Sequence, residues 1–139
     1  MFEYLKRYDI QGERTVEFRL DMLDLPACPV LMLAPGTADN RPLLRAVLRR
    51  NRTQGGRTGT SDSAVRDSMN SERELFVAHV LKGWRGVTDE NGAEVPFSRE
   101  NAREFVAALP DWIFLRAQTF ATDPTNFLDG GDLGNSSGG

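Results

Sequence analysis

The stretch that decides the fold is "VLKGWRGVTDENGAEVPFSRENAREFVAALP", Val80–Pro110. Asn91-Gly92 marks a tight turn. Ser98 is a helix N-cap for "RENAREFVAAL", with Phe97 placed to staple its first turn. Upstream, "ERELFVAHVLKGW" carries Leu75, Phe76, Val77, Val80, Leu81 and Trp84 at helical spacing, and Gly83 and Gly86 end that helix near the tryptophan. Ser71 and Glu74 have the spacing of a capping box, with Asp62 as an earlier alternative start. The stretch therefore reads as a joint between two helices, pinned by Trp84 packing on Phe97. Downstream, Pro110 stops one helix and opens "PDWIFLRAQTFA", and Asp123-Pro124 repeats the device before "TNFL".

Toward the N-terminus the period changes. In "TVEFRL", Val16, Phe18 and Leu20 alternate with Thr15, Glu17 and Arg19, which predicts a half-buried strand. "VLMLA", Val30–Ala34, predicts a second strand antiparallel to it, and such a pair needs a further element against it. Asp39 and Asn40 then offer caps for "PLLRAVLRR", where Leu43, Leu44, Val47 and Leu48 form an apolar stripe. The expected fold class is α+β, mainly α: a small N-terminal β-hairpin-plus-helix unit followed by a compact C-terminal helical bundle. The expected segments are residues 1–50 for the hairpin and Arg-faced helix, and 51–63 for a flexible Gly/Thr/Ser loop. Residues 64–128 follow as the bundle and 129–139 as a disordered tail, all within one folding domain.

Composition narrows the function classes. The chain has 139 residues, 40% hydrophobic and 27% charged, with a formal net charge of −3. That charge argues against a whole-protein affinity for nucleic acid or anionic membrane. Cys28 is the single cysteine, which excludes an internal disulfide and suits a cytosolic setting. No apolar run approaches the roughly 20 residues of a membrane span, and "MFEYLKRYDIQGER" lacks a signal peptide's apolar region.

No residue pattern points to chemistry. His79 is the single histidine, and general acid–base catalysis would need a partner and a pocket beside it. Cys28, between Pro26 and Pro29 in a loop, reads as a small buried hydrophobe rather than a nucleophile. One Cys and one His cannot supply a zinc tetrahedron. "DENG" lacks the spaced oxygens of a calcium loop, and "GGRTGT" lacks the Gly-Lys-Ser/Thr of a phosphate loop. The expectation is a protein without catalytic residues, cofactor or metal.

Two features remain for partner binding. Arg41, Arg45, Arg49, Arg50, Arg52 and Arg57 lie in a window, Asn40–Ser61, that contains no acidic residue. Arg41, Arg45 and Arg49 recur every four residues and share one helix face. Such a face stays solvated, docks an acidic protein surface, or contacts phosphates; with no aromatics interleaved, nucleic acid ranks below protein docking. The aromatics Phe76, Trp84, Phe105, Trp112 and Phe120 are core candidates by default, and any left exposed are candidates for a partner groove.

The order of "VLKGWRGV", acidic Asn-Gly turn, "VPFSRENAREFV", "LPDW" and "TNFL" resembles the tail assembly chaperones of long-tailed, siphophage-like bacteriophages. The resemblance covers roughly Glu74–Ser137, and more loosely Val16–Arg49. It implies a non-enzymatic protein of the host cytoplasm that binds the tape measure protein, recruits tail tube subunits during tail morphogenesis, and is absent from the mature virion. Self-association would suit a protein that coats a long client. Client contact would then fall on exposed members of the aromatic set, aided by Arg41, Arg45 and Arg49. The alternatives are a structural minor tail or adaptor protein of the virion, and a small nucleic-acid-binding accessory protein using the Arg41–Arg57 face.

Overall fold

The computed structural model describes residues 1–25, 27–53 and 61–128. The predicted Gly/Thr/Ser loop falls mostly in residues 54–60 and the predicted tail in 129–139, outside the described residues. A short 3₁₀ helix, Glu3–Tyr8, leads into strands β1 (Val16–Arg19) and β2 (Val30–Leu33). Helices α1 (Arg41–Thr53) and α2 (Asp62–His79) follow, then β3 (Leu81–Arg85), α3 (Arg99–Ala108) and α4 (Asp111–Thr122). A 3₁₀ turn, Pro124–Phe127, closes the described chain. The molecule is α+β and mainly α.

The three strands form one antiparallel sheet in the order β1-β2-β3. The predicted alternation of β1 holds: Val16 and Phe18 turn inward, Leu20 is fully buried, and Glu17 and Arg19 are exposed. β3 corrects the sequence reading. The helix expected to run as far as Trp84 ends at His79, and Leu81–Arg85 crosses back along β2 with Leu31 opposite Trp84. The reason is backbone hydrogen bonding. Leu31, Leu33 and Ala34 are fully buried, so without a strand beside it the second edge of β2 would hold backbone groups away from water and without partners. β3 pairs with that edge, and the Ala34 N–H continues the pairing by donating to the Val80 carbonyl at 2.8 Å. Helical spacing in "LFVAHVLKGW" fitted equally well until this requirement intervened.

The other helix ends follow local chemistry. α2 starts at the earlier alternative, where Ser61 Oγ accepts from the Ala64 N–H, so Ser71 and Glu74 lie inside the helix. Ser98 Oγ accepts from the Asn101 N–H and caps α3 as expected. Asp123 Oδ1 accepts from the Thr125 N–H and starts the last turn. Asn40 caps α1 by accepting from the Leu43 N–H, and it does more than cap. Buried at 3% exposure, its side-chain amide donates to the Pro35 and His79 carbonyls, both at 2.9 Å. One residue thus ties the end of β2 and the start of α1 to the end of α2.

A single cluster joins sheet and helices: Leu31 and Leu33 from β2, Leu43 from α1, Phe76 from α2, Val106 from α3 and Phe114 from α4. Phe76 meets Phe114 edge-on, with ring centroids 5.3 Å apart, and Phe18 of β1 lies 4.9 Å from Phe120 of α4. Burying each such Leu or Phe side chain is worth about 1.5–3 kcal/mol. The predicted stripe on α1 is narrower than expected. Leu43 is buried and Leu44 and Val47 half-buried, but Leu48 lies outside the stripe, on the solvent side.

Candidate functional site

The joint around the Asn-Gly turn is built as the sequence predicted, though from a strand rather than a helix end. Asp89 Oδ1 accepts from the Asn91 and Ala93 N–H groups, and Gly92 takes φ +83°, a backbone conformation that L side chains rarely adopt. Trp84 packs edge-on against Phe97 and Phe105, at 5.1 and 5.2 Å between ring centroids. Its indole N–H donates to the Val95 carbonyl at 2.9 Å. Trp84 is therefore committed to holding β3 against the turn and α3.

The aromatic candidates separate by burial. Phe76 is 3% exposed and belongs to the core, where no partner reaches it in the folded state. Phe105 and Phe120 are half-buried against that core. Trp112 is 51% exposed, and Leu115, one turn further along α4, is exposed beside it. The Arg116 guanidinium lies 5.6 Å from the centre of the Trp112 ring.

At the start of α4 a cleft of about 590 Å³ opens between α2 and α3, lined by Arg66, Arg73, Arg103, Val77, Val106 and Asp111 among others. Arg73 is nearly buried. Its guanidinium donates to the Val106 carbonyl and, at 2.6 Å, to Asp111 Oδ1, and it stacks over the Phe114 ring. Arg66 approaches Asp111 Oδ2 at 3.5 Å. The hydrogen bond from Arg73, then that from Arg66, holds the Asp111 carboxyl below its usual pKa. Arg73 gave no signal in the sequence beyond being a cation amid a helix's apolar positions.

The arginine window divides in two. Arg50 turns inward, donating to Glu72 Oε2 at 2.8 Å, and Gln118 donates to the other oxygen of the same carboxylate at 3.1 Å. Arg41, Arg45, Arg49 and Arg52 are exposed and have no ion-pair partner among the described residues, while Arg57 lies outside those residues. His79 is half-buried at the end of α2. Burial first, then the charges of Lys82, Arg99 and Arg49, lower its pKa. Cys28 is half-buried rather than buried.

One apolar surface was missed by the sequence reading. Met1, Phe2, Tyr4, Leu5 and Tyr8 are all exposed on or beside the first 3₁₀ helix, which buries no residue. The density of large apolar residues in "MFEYLKRY" was its available signal.

Among the described residues, no three His, Cys, Asp or Glu side chains come together as metal ligands, and no helix is long and apolar enough to cross a membrane. The molecule is a small α+β domain whose exposed side chains include four arginines of α1 and the large apolar residues Leu48, Trp112 and Leu115. Residues 38–131 match the YdaY prophage protein family. The match spans α1 to the final 3₁₀ turn and more than half of the chain, so the chain belongs to that family and is of bacteriophage descent. No curated protein and no solved structure matches it.

Proposed function

We propose that the protein is a non-enzymatic assembly chaperone of a long-tailed phage, which binds the tape measure protein in the host cytoplasm and brings tail tube subunits to it. The observation that carries this reading is the exposed Trp112–Leu115 pair on α4. Exposed tryptophan is costly to leave in water and is the residue type most enriched where partners bind. Phage descent and the resemblance over Glu74–Ser137 support the same reading. An exposed apolar pair one turn apart on a helix suits a helical client, which such surfaces take by its i, i+3 and i+4 side chains.

The test is co-expression with the tape measure protein encoded in the same phage genome, followed by pull-down and a solubility assay. The expected result is a soluble, co-purifying tape measure protein, with Trp112→Ala weakening the association by about tenfold or more. A tape measure protein that stays insoluble and unbound overturns the reading. Recovery of the protein from purified virions would instead identify a structural tail component.

A further inference from the structure

The misplaced leucine of α1 carries an inference about what the arginines recognise. Arg41, Arg45, Arg49 and Arg52 follow one another at intervals of three or four residues, which puts them on one side of the helix, and Leu48 lies at the border of that side, three residues after Arg45 and four before Arg52. The opposite side holds Leu43 in the core and packs Val47 against it. Leu48 is 51% exposed, and Arg45 and Arg52, its neighbours one turn to either side along the helix, are exposed as well.

A solvated face needs no exposed leucine at its border, and a phosphate-binding face gains nothing from one. Surfaces that bind single-stranded nucleic acid without base readout pair arginine with aromatic stacking platforms, and no aromatic residue stands on this face. An apolar anchor bordered by cations is instead the complement of an apolar stripe bordered by carboxylates. We propose that the outward face of α1 is a docking surface for an acidic amphipathic helix of a partner protein, with Leu48 as the anchor and Arg41, Arg45, Arg49 and Arg52 as the charged rim. Under the chaperone reading, on which this identification of the partner as client rests, the face selects acidic helical segments of that client. Trp112 supplies a second contact on another helix.

The test uses the full chain and a fluorescein-labelled peptide of about 20 residues, beyond the ~12–15 needed for a marginal helix. The peptide carries a Leu stripe bordered by Glu. Its controls are the same peptide with Lys for Glu, and a single-stranded DNA of similar length. Anisotropy should show binding of the Glu peptide alone, weakened about tenfold by Leu48→Ala. The double variant Arg45→Glu, Arg49→Glu should lose the Glu peptide and gain the Lys peptide. These residues are exposed, so circular dichroism and Tm should stay unchanged. DNA binding that falls steeply with salt and ignores Leu48→Ala would overturn the proposal in favour of a phosphate-binding face. Failure to bind the Glu peptide, or binding that the double variant retains, would also overturn it. Co-expression separates the two readings. If wild type and double variant both solubilise the tape measure protein, the chaperone reading stands and this face is not its client site. If wild type does not solubilise it, the chaperone reading falls and the peptide experiment decides the face alone.

Discussion

Asn40 is the residue where a local signal and a long-range role coincide. Its side-chain oxygen caps α1, and its amide nitrogen holds the Pro35 and His79 carbonyls. Asn40→Ala removes a cap and leaves the buried Pro35 and half-buried His79 carbonyls without that donor, a loss of about 2–3 kcal/mol. Urea denaturation should show a lower midpoint with an unchanged slope. Asn40→Asp keeps the cap acceptor but sets a carboxylate against two carbonyl oxygens, so it should rescue nothing. Asp111 gives a pH prediction. Its pKa is depressed in the fold by Arg73 and then Arg66, so its stabilising contribution is complete above the unfolded value of about 3.9. That contribution disappears as pH falls through the lower folded value. Asp111→Asn should therefore lower Tm at neutral pH and flatten the decline in Tm below about pH 4. A variant whose acid limb matches wild type would show that the Arg73 pair contributes nothing. The cap of Asn40 was legible because capping is a property of adjacent residues. Its bonds to Pro35 and His79, and the partner of Arg73, depend on elements that meet only in the fold.

At the scale of elements, the region from β3 to α3 shows where spacing misleads. Ser98, Phe97 and Asn91-Gly92 were legible because caps, staples and tight turns are set within a few residues. β3 was hidden because Leu81, Trp84 and their upstream neighbours satisfy a helical period, and only the free edge of β2 selects the strand. Trp84→Ala, which empties the contact with Phe97 and Phe105, should cost about 3 kcal/mol. Trp84→Phe keeps a ring but not the bond to Val95, and should cost about 1 kcal/mol. Equal losses in thermal unfolding would mean that the indole N–H, not packing, holds the joint. Gly86 has φ +77°, and a Cβ there would sit 3.2 Å from the Cys28 carbonyl oxygen. Gly86→Ala should therefore cost about 1–2 kcal/mol from backbone conformation, with the tight contact adding to it.

At the scale of the molecule, the family match begins at residue 38, after β2, yet the sheet and core do not. β3 takes its backbone partners from β2, and Leu31 and Leu33 lie in the same cluster as Phe76 and Phe114. The expectation is one cooperative unfolding transition for the full chain. A fragment of residues 38–139 should keep helical circular dichroism but lose cooperative unfolding and dispersed amide resonances. A fragment that unfolds cooperatively would show that the helices form a unit independent of the hairpin.

What depends on neighbours along the chain was legible before folding: the α+β class, the inward face of β1, the caps at Asn40 and Ser98, the Asn-Gly turn and the run of arginines. The tertiary structure decided what depends on neighbours in space. It made a strand of Leu81–Arg85 because a buried strand edge requires hydrogen-bond partners. It turned Arg50 inward to Glu72 and left Leu48 outside among the other arginines. It put Phe76 in the core against Phe114 and left Trp112 half-exposed at the surface, since only one side of each helix packs on the sheet and its fellow helices.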